Sequence, residues 1–151
     1  MDAVFAAVSA VAISALTSWF TVRFAIQRFR AEKLFERRLD AYSKVIESMH
    51  CVLRCLDRWI DMHERQVQAS ESVHAAIRIE YTQNTNELRR LIDMGELLFS
   101  SEASAVLFAL RGELDSARTD YAMFGDFEPE RTAVAAALSK FPALAKKDLD
   151  R

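Results

Sequence analysis

Two Glu-x-x-His pairs, Glu47 with His50 and Glu71 with His74, have the residue types and spacing best suited to chemistry in this 151-residue chain. Di-metal carboxylate bundles place such pairs on two of their helices. Cys51 and Cys55, one helical turn apart with His50 adjacent, are a second candidate, for a soft metal or for oxidation. Neither constellation closes into a site. With a turn near residue 70, His50 lies about twenty residues before it and His74 about four after it, which separates them by roughly 24 Å along an antiparallel hairpin. Glu47 and His50 also fall on the charged side of their helix, and two thiolates without further ligands hold a metal poorly. Cys55 borders the apolar face and reads as a small core residue, reduced in a cytosolic domain, while Cys51 points outward. His63 occupies an apolar-seam position, where a hydrogen-bonded structural histidine is expected. There is no Gly-rich phosphate loop, Gly-x-Ser-x-Gly elbow or His-Glu-x-x-His motif, and three glycines are too few for phosphate-cradling loops. The expectation is a chain that is not an enzyme and needs no metal, no cofactor and no small-molecule substrate.

The elements that would position any site are helices. Three Gly and two Pro cannot supply the turns of a sandwich, a barrel or an α/β fold. Ala3 to Val22 is a run of twenty residues without charge, Gly or Pro. As a helix it spans about 30 Å, the hydrocarbon thickness of a bilayer. A cleaved signal peptide would carry basic residues before the run, whereas here Arg23, Arg28, Arg30, Lys33, Arg37 and Arg38 follow it. Against Glu32 and Glu36 that segment is +4, and the chain from Leu39 onward is -5. Basic residues are retained on the cytosolic side, so the reading is a single-pass signal-anchor with its N-terminus outside and its body in the cytosol. Arg23, Arg28, Arg30 and Lys33 then lie at the inner membrane interface, beside Trp19 and Phe20. The mildly acidic body argues against nucleic acid as a partner. Ala6, Ala10, Ser14 and Ser18 repeat every four residues, either as a helix-packing stripe or as an accident of composition.

Nothing forces the first helix to end at the membrane, because no Gly or Pro follows the span until Gly95. The expected organisation is an anchor over 1–23, a basic juxtamembrane helix over 24–34 and a cytosolic bundle over 35–151. Phe35, Leu39, Tyr42, Ile46, Met49, Leu53, Leu56, Trp59 and Ile60 define a wide apolar face with coiled-coil-like spacing, suited to at least two neighbouring helices or to a partner. A turn near 68–72 leads to a second helix ending about Phe99, with Ile77, Tyr81, Leu88, Leu91, Ile92 and Leu98 inward. Ser100 or Ser101 caps a third, with Ala103, Leu107, Leu110, Leu114, Ala117 and Tyr121 inward; Gly125 ends it and Pro129 opens a fourth, which Pro142 should kink or split. The fold class is therefore all-α, an N-terminal transmembrane helix continuing into a cytosolic up-down-up-down helical bundle. Lys140, Lys146 and Lys147 near its end are either a second membrane contact or a solvated tail.

The segment Phe35-Glu36-Arg37-Arg38-Leu39-Asp40-Ala41-Tyr42, just after the apolar run, resembles a diffuse group of small bacterial membrane-anchored helical proteins of unknown function. They carry a Glu-Arg-Arg-x-x-Ala-Tyr-like segment at the same place, and Leu97-Leu98-Phe99-Ser100-Ser101-Glu102 is similar to that group as well. The resemblance implies a bacterial inner-membrane protein and carries over no catalytic or binding residue. Some small bacterial proteins of this layout serve defence or stress systems. Two functions follow as expectations: a membrane-tethered scaffold that forms a homo-oligomer or binds another membrane-associated protein, or a membrane-active effector whose oligomerised spans perturb the bilayer.

Overall fold

A computed structural model shows a chain of four helices: α1 (Asp2–Glu64), α2 (Glu71–Gly95), α3 (Ser101–Phe124) and α4 (Glu128–Leu149). The structure describes residues 2–65, 70–95, 97–124 and 127–150, with side chains over 17–65, 70–95, 97–116 and 127–150; no strand occurs among them. Contacts divide the chain into two units, Met1–Arg37 and Arg38–Arg151, and the 63-residue α1 contributes to both. Its length follows from the absence of Gly and Pro, since neither a flexible nor a donor-lacking residue interrupts its hydrogen bonds.

In the first unit every described side chain, from Thr17 to Arg37, is exposed. Among the described residues no helix is long and apolar enough to cross a membrane, so the structure does not show the expected transmembrane helix. Most of that run, including Ala6, Ala10 and Ser14, lies outside the residues whose side chains are described, while Ser18 is exposed.

The second unit is an up-down-up-down bundle, and its cross-helix pairs set out the order. Residue numbers fall on one helix as they rise on the next: Arg89 with Asp115 (2.8 Å) and Arg111 with Asp93 join α2 to α3, and Lys147 with Glu102 (2.7 Å) joins α3 to α4. Tyr42 with Asp148 and Asp57 with Arg131 (2.5 Å) close α4 back onto α1. Arg58 meets Glu80 (3.3 Å) between α1 and α2. The ion pairs among these contribute little energy, at most about 1 kcal/mol each where exposed, but together with the buried Tyr42–Asp148 hydrogen bond they report the register.

The core comes from the expected four-three spacings. Tyr42, Val45, Met49, Val52 and Leu56 of α1 meet Leu88, Leu91 and Ile92 of α2, Ala103, Leu107, Leu110 and Leu114 of α3, and Val134, Ala137, Phe141 and Ala145 of α4. Fully burying one of the large side chains stabilises the fold by about 1.5–3 kcal/mol relative to exposure. Ala117 and Tyr121 lie outside the described side chains. Ser100 caps α3 by accepting from the Ala103 N–H (3.3 Å), and Pro129 lies in the first turn of α4.

Several local expectations need correction. His63 is exposed, because the apolar seam has already left the core by the last turn of α1. Pro142 does not split α4, which runs through it to Leu149 with Phe141 and Ala145 both buried, so packing on either side outweighs one lost backbone hydrogen bond. Helix α2 stops at Gly95, short of Phe99. A Cβ on Gly95 would come within 2.5 Å of the Phe99 ring, so the missing side chain makes room for the ring to fold back over the turn. The Leu98 and Phe99 N–H groups donate to the Gly95 carbonyl at 3.0 and 2.8 Å and close that turn.

The two described glycines therefore predict opposite outcomes. Gly95→Ala lowers stability by about 1–3 kcal/mol through overpacking against Phe99. Gly112→Ala, mid-helix in α3 with open space where its Cβ would be, raises stability by about 0.5–1 kcal/mol. Denaturant unfolding of the two variants checks both signs.

Candidate functional site

The bundle's two ends are each organised by a tyrosine and a buried carboxylate. At one end Tyr42 is 1% exposed and its ring packs against Phe99 (4.7 Å between centroids) and Phe141 (5.4 Å), while its hydroxyl donates to Asp148. The same Asp148 oxygen accepts from the Ser100 N–H (3.3 Å), so the last turn of α4 is tied to α1 and to the cap of α3. At the other end Tyr81 donates to Glu130, itself 1% exposed, with the Thr85 hydroxyl beside it. Trp59 stacks on Phe127 (5.1 Å) and lies against Tyr81 (5.1 Å).

Burial, reinforced by the hydrogen bond to Asp148, pushes the Tyr42 hydroxyl up to about 12. Burial and then Glu130 raise Tyr81 as well. Burial, followed by the Glu80 charge, pushes the Cys55 thiol up to about 11, away from the reactive thiolate. Cys55 is buried as expected; Cys51 is half-covered and accepts a hydrogen bond from Arg54 (3.1 Å). Glu47, His50 and Glu71 are exposed, His74 is half-buried, and among the described residues no group of three or more His, Cys, Asp or Glu could hold a metal.

The residues named from sequence as a bundle or partner face fall into three groups. Tyr42, Met49 and Leu56 are fully buried in the chain's own core. Ile46, Leu53 and Trp59 are partly buried against it, and Ile60 is half-buried at the rim. Phe35 and Leu39 are each 45% exposed, so the apolar face still open to a partner narrows to them. Arg23, Arg28, Arg30 and Lys33 are exposed on α1, with Arg23 over the Trp19 ring (5.5 Å) and Lys33 over Phe29 (5.9 Å). Of the late lysines, Lys147 is engaged by Glu102.

Sequence reasoning missed a groove of 520 Å³ between α3 and α4, floored by Val106, Leu110 and Ala137 and opened by small side chains such as Ala105, Ala109 and Ala136. Its signal was available: alanines three or four apart on consecutive helices. Glu113 and Lys140 give it polar margins, so it suits an apolar side chain or helix face better than a polar substrate. Comparison with protein-family models, with curated proteins and with solved structures finds no match to the chain.

The tyrosine pairs carry a pH dependence whose sign is fixed. A phenol that titrates near 10 when unfolded and near 12 when folded stabilises the fold while protonated; that contribution is whole below pH 10 and is lost as pH rises toward 12. Cys55 adds the same behaviour from about pH 9 upward. The urea midpoint should thus stay level from pH 7 to 9 and fall above it. Tyr42→Phe and Tyr81→Phe should each cost about 1–3 kcal/mol at pH 7, because a buried carboxylate loses a donor, and should flatten the alkaline fall.

Proposed function

We propose that this chain is a membrane-tethered, non-enzymatic interaction module: the start of α1 anchors it in a bilayer, and the bundle on the cytosolic side pairs with itself or with another membrane-associated protein. The observation that carries this is the surface of the first unit. Trp19, Phe20, Val22, Phe24, Ile26 and Phe29 are 47–66% exposed, on a stretch of α1, Thr17 to Arg37, whose described side chains are all exposed. So many large apolar side chains on one short stretch are costly in water and favourable beside hydrocarbon and lipid headgroups. Trp19, Phe20 and Val22 close an uncharged run of twenty residues, and Phe24, Ile26 and Phe29 lie in the +4 segment that follows it, the order of an anchor whose body stays inside.

The bundle supports the scaffold half of the reading. Its buried carboxylates, Asp148 and Glu130, are engaged by tyrosines inside packed aromatic clusters, a structural use of the most chemically capable groups. The α3–α4 groove and the exposed Phe35 and Leu39 are among the apolar surfaces a partner can cover. The Thr21 hydroxyl donates to the Thr17 carbonyl (2.8 Å) on its own helix, which gives the effector reading less to build on.

Membrane fractionation tests the tether. The wild-type chain should stay in the pellet after an alkaline carbonate wash, with a C-terminal tag protected from protease added outside intact cells. Val11→Arg, which places at mid-span a charge costing about 2.5–3.5 kcal/mol to insert, should move a large share to the soluble fraction. A wild-type protein that washes off without detergent ends the proposal.

A further inference from the structure

The basic residues of the first unit are not spread evenly around α1. Trp19, Arg23, Ile26 and Arg30 follow one another at steps of four, three and four, which puts them on one face; Val22 and Gln27 flank them and complete a shallow depression of 330 Å³. Along the roughly 16 Å from Trp19 to Arg30 its chemistry changes in order. Trp19 and Val22, the last residues of the uncharged run on this face, make one end apolar, Gln27 and Arg30 make the far end polar, and Ile26 lies between Arg23 and Gln27. Arg23 stands between, its guanidinium 5.5 Å from the Trp19 ring centroid. Among the described residues Arg23 and Arg30 form no ion pair, whereas Lys33 is held by Glu36 at 2.6 Å.

We infer that this depression is a binding site for one anionic phospholipid, lying alongside α1 with an acyl chain against Trp19 and Val22 and its phosphate among Arg23, Gln27 and Arg30. The inference rests on the tether reading above and deepens it by naming a lipid class. Three features select that occupant. Guanidinium groups bind phosphate through paired, charge-assisted hydrogen bonds, and the Gln27 amide can add a donor. The apolar-to-polar order matches a phospholipid's own order in the leaflet entered by the start of α1. A net positive face favours an anionic headgroup over a zwitterionic one, each basic residue near the surface changing lipid affinity roughly fivefold. Free phosphate would use the polar end and leave Trp19, Val22 and Ile26 uncovered.

Trp19 is the reporter. The full-length Trp59→Phe protein, in which Trp19 is the only indole, is reconstituted into nanodiscs, and quenching by phosphatidylglycerol brominated on its acyl chains is compared with quenching by brominated phosphatidylcholine. Should Trp59→Phe fail to fold, the wild-type signal minus that of Trp19→Phe gives the same readout. The expected result is stronger quenching by the anionic lipid, reduced roughly fivefold in preference by Arg30→Gln. Arg28→Gln, which removes the same charge at nearly the same level but about 160° around the helix, should lower the preference clearly less than Arg30→Gln does. Equal quenching by the two lipids, or equal effects of the two substitutions, overturns the site while leaving the tether standing. Abolition of the preference by excess inorganic phosphate reassigns the site to a free anion and overturns the lipid. Absence of quenching by either lipid overturns the tether, and this site with it.

Discussion

The apolar face that α1 carries from Ala41 to Leu56 is too wide for one neighbour to cover, and the second unit is the solution to that constraint. Ala41, Tyr42, Val45, Met49, Val52, Cys55 and Leu56 are all buried, so side chains on more than one line of the helix must be taken out of water together. Three further helices do this, with short connections that make successive helices antiparallel. The cost of ordering so long a chain is offset by apolar burial, and the exposed ion pairs mainly record the resulting register.

Within that frame the polar groups at the two ends select one arrangement among several that would bury the same surface. Asp148 and Glu130 both belong to α4, whereas their phenol partners belong to α1 and α2. A sliding or rotated α4 would keep much of its apolar contact but strand a carboxylate away from water, a far larger penalty than a misplaced methyl group. The two tyrosine–carboxylate pairs thus favour one register of α4 among those that apolar burial alone would allow.

Much of the bundle was legible from spacing alone. Ile77, Leu88, Leu91 and Ile92 of α2 and Ala103, Leu107, Leu110 and Leu114 of α3 are buried as expected, because their spacing reflects the helix period, which is local information. What the repeat could not reveal was pairing across long stretches of chain: Tyr42 reaches Asp148 and Tyr81 reaches Glu130, and in sequence these carboxylates look like ordinary surface acids. The same limit explains His63, which keeps the seam's spacing after the core has ended. Pro142 does not split α4, because the backbone rule alone leaves out the packing of Phe141 and Ala145 around it. The α3–α4 groove went unseen because alanines register as helix formers before they register as missing volume.

Phe99 belongs to no helix, yet its ring touches Tyr42 of α1 and Phe141 of α4 while lying over the backbone at the end of α2. Connections are ordinarily the parts of a protein that breathe on their own, opening and closing without disturbing what they join. Here one residue of the hairpin bend, Phe99, is buried among the rings at one end of the bundle, while Leu97 beside it is 87% exposed. Lifting Phe99 out of the fold would break its ring contacts with both Tyr42 and Phe141, so opening the bend at that residue is coupled to separating α1 from α4.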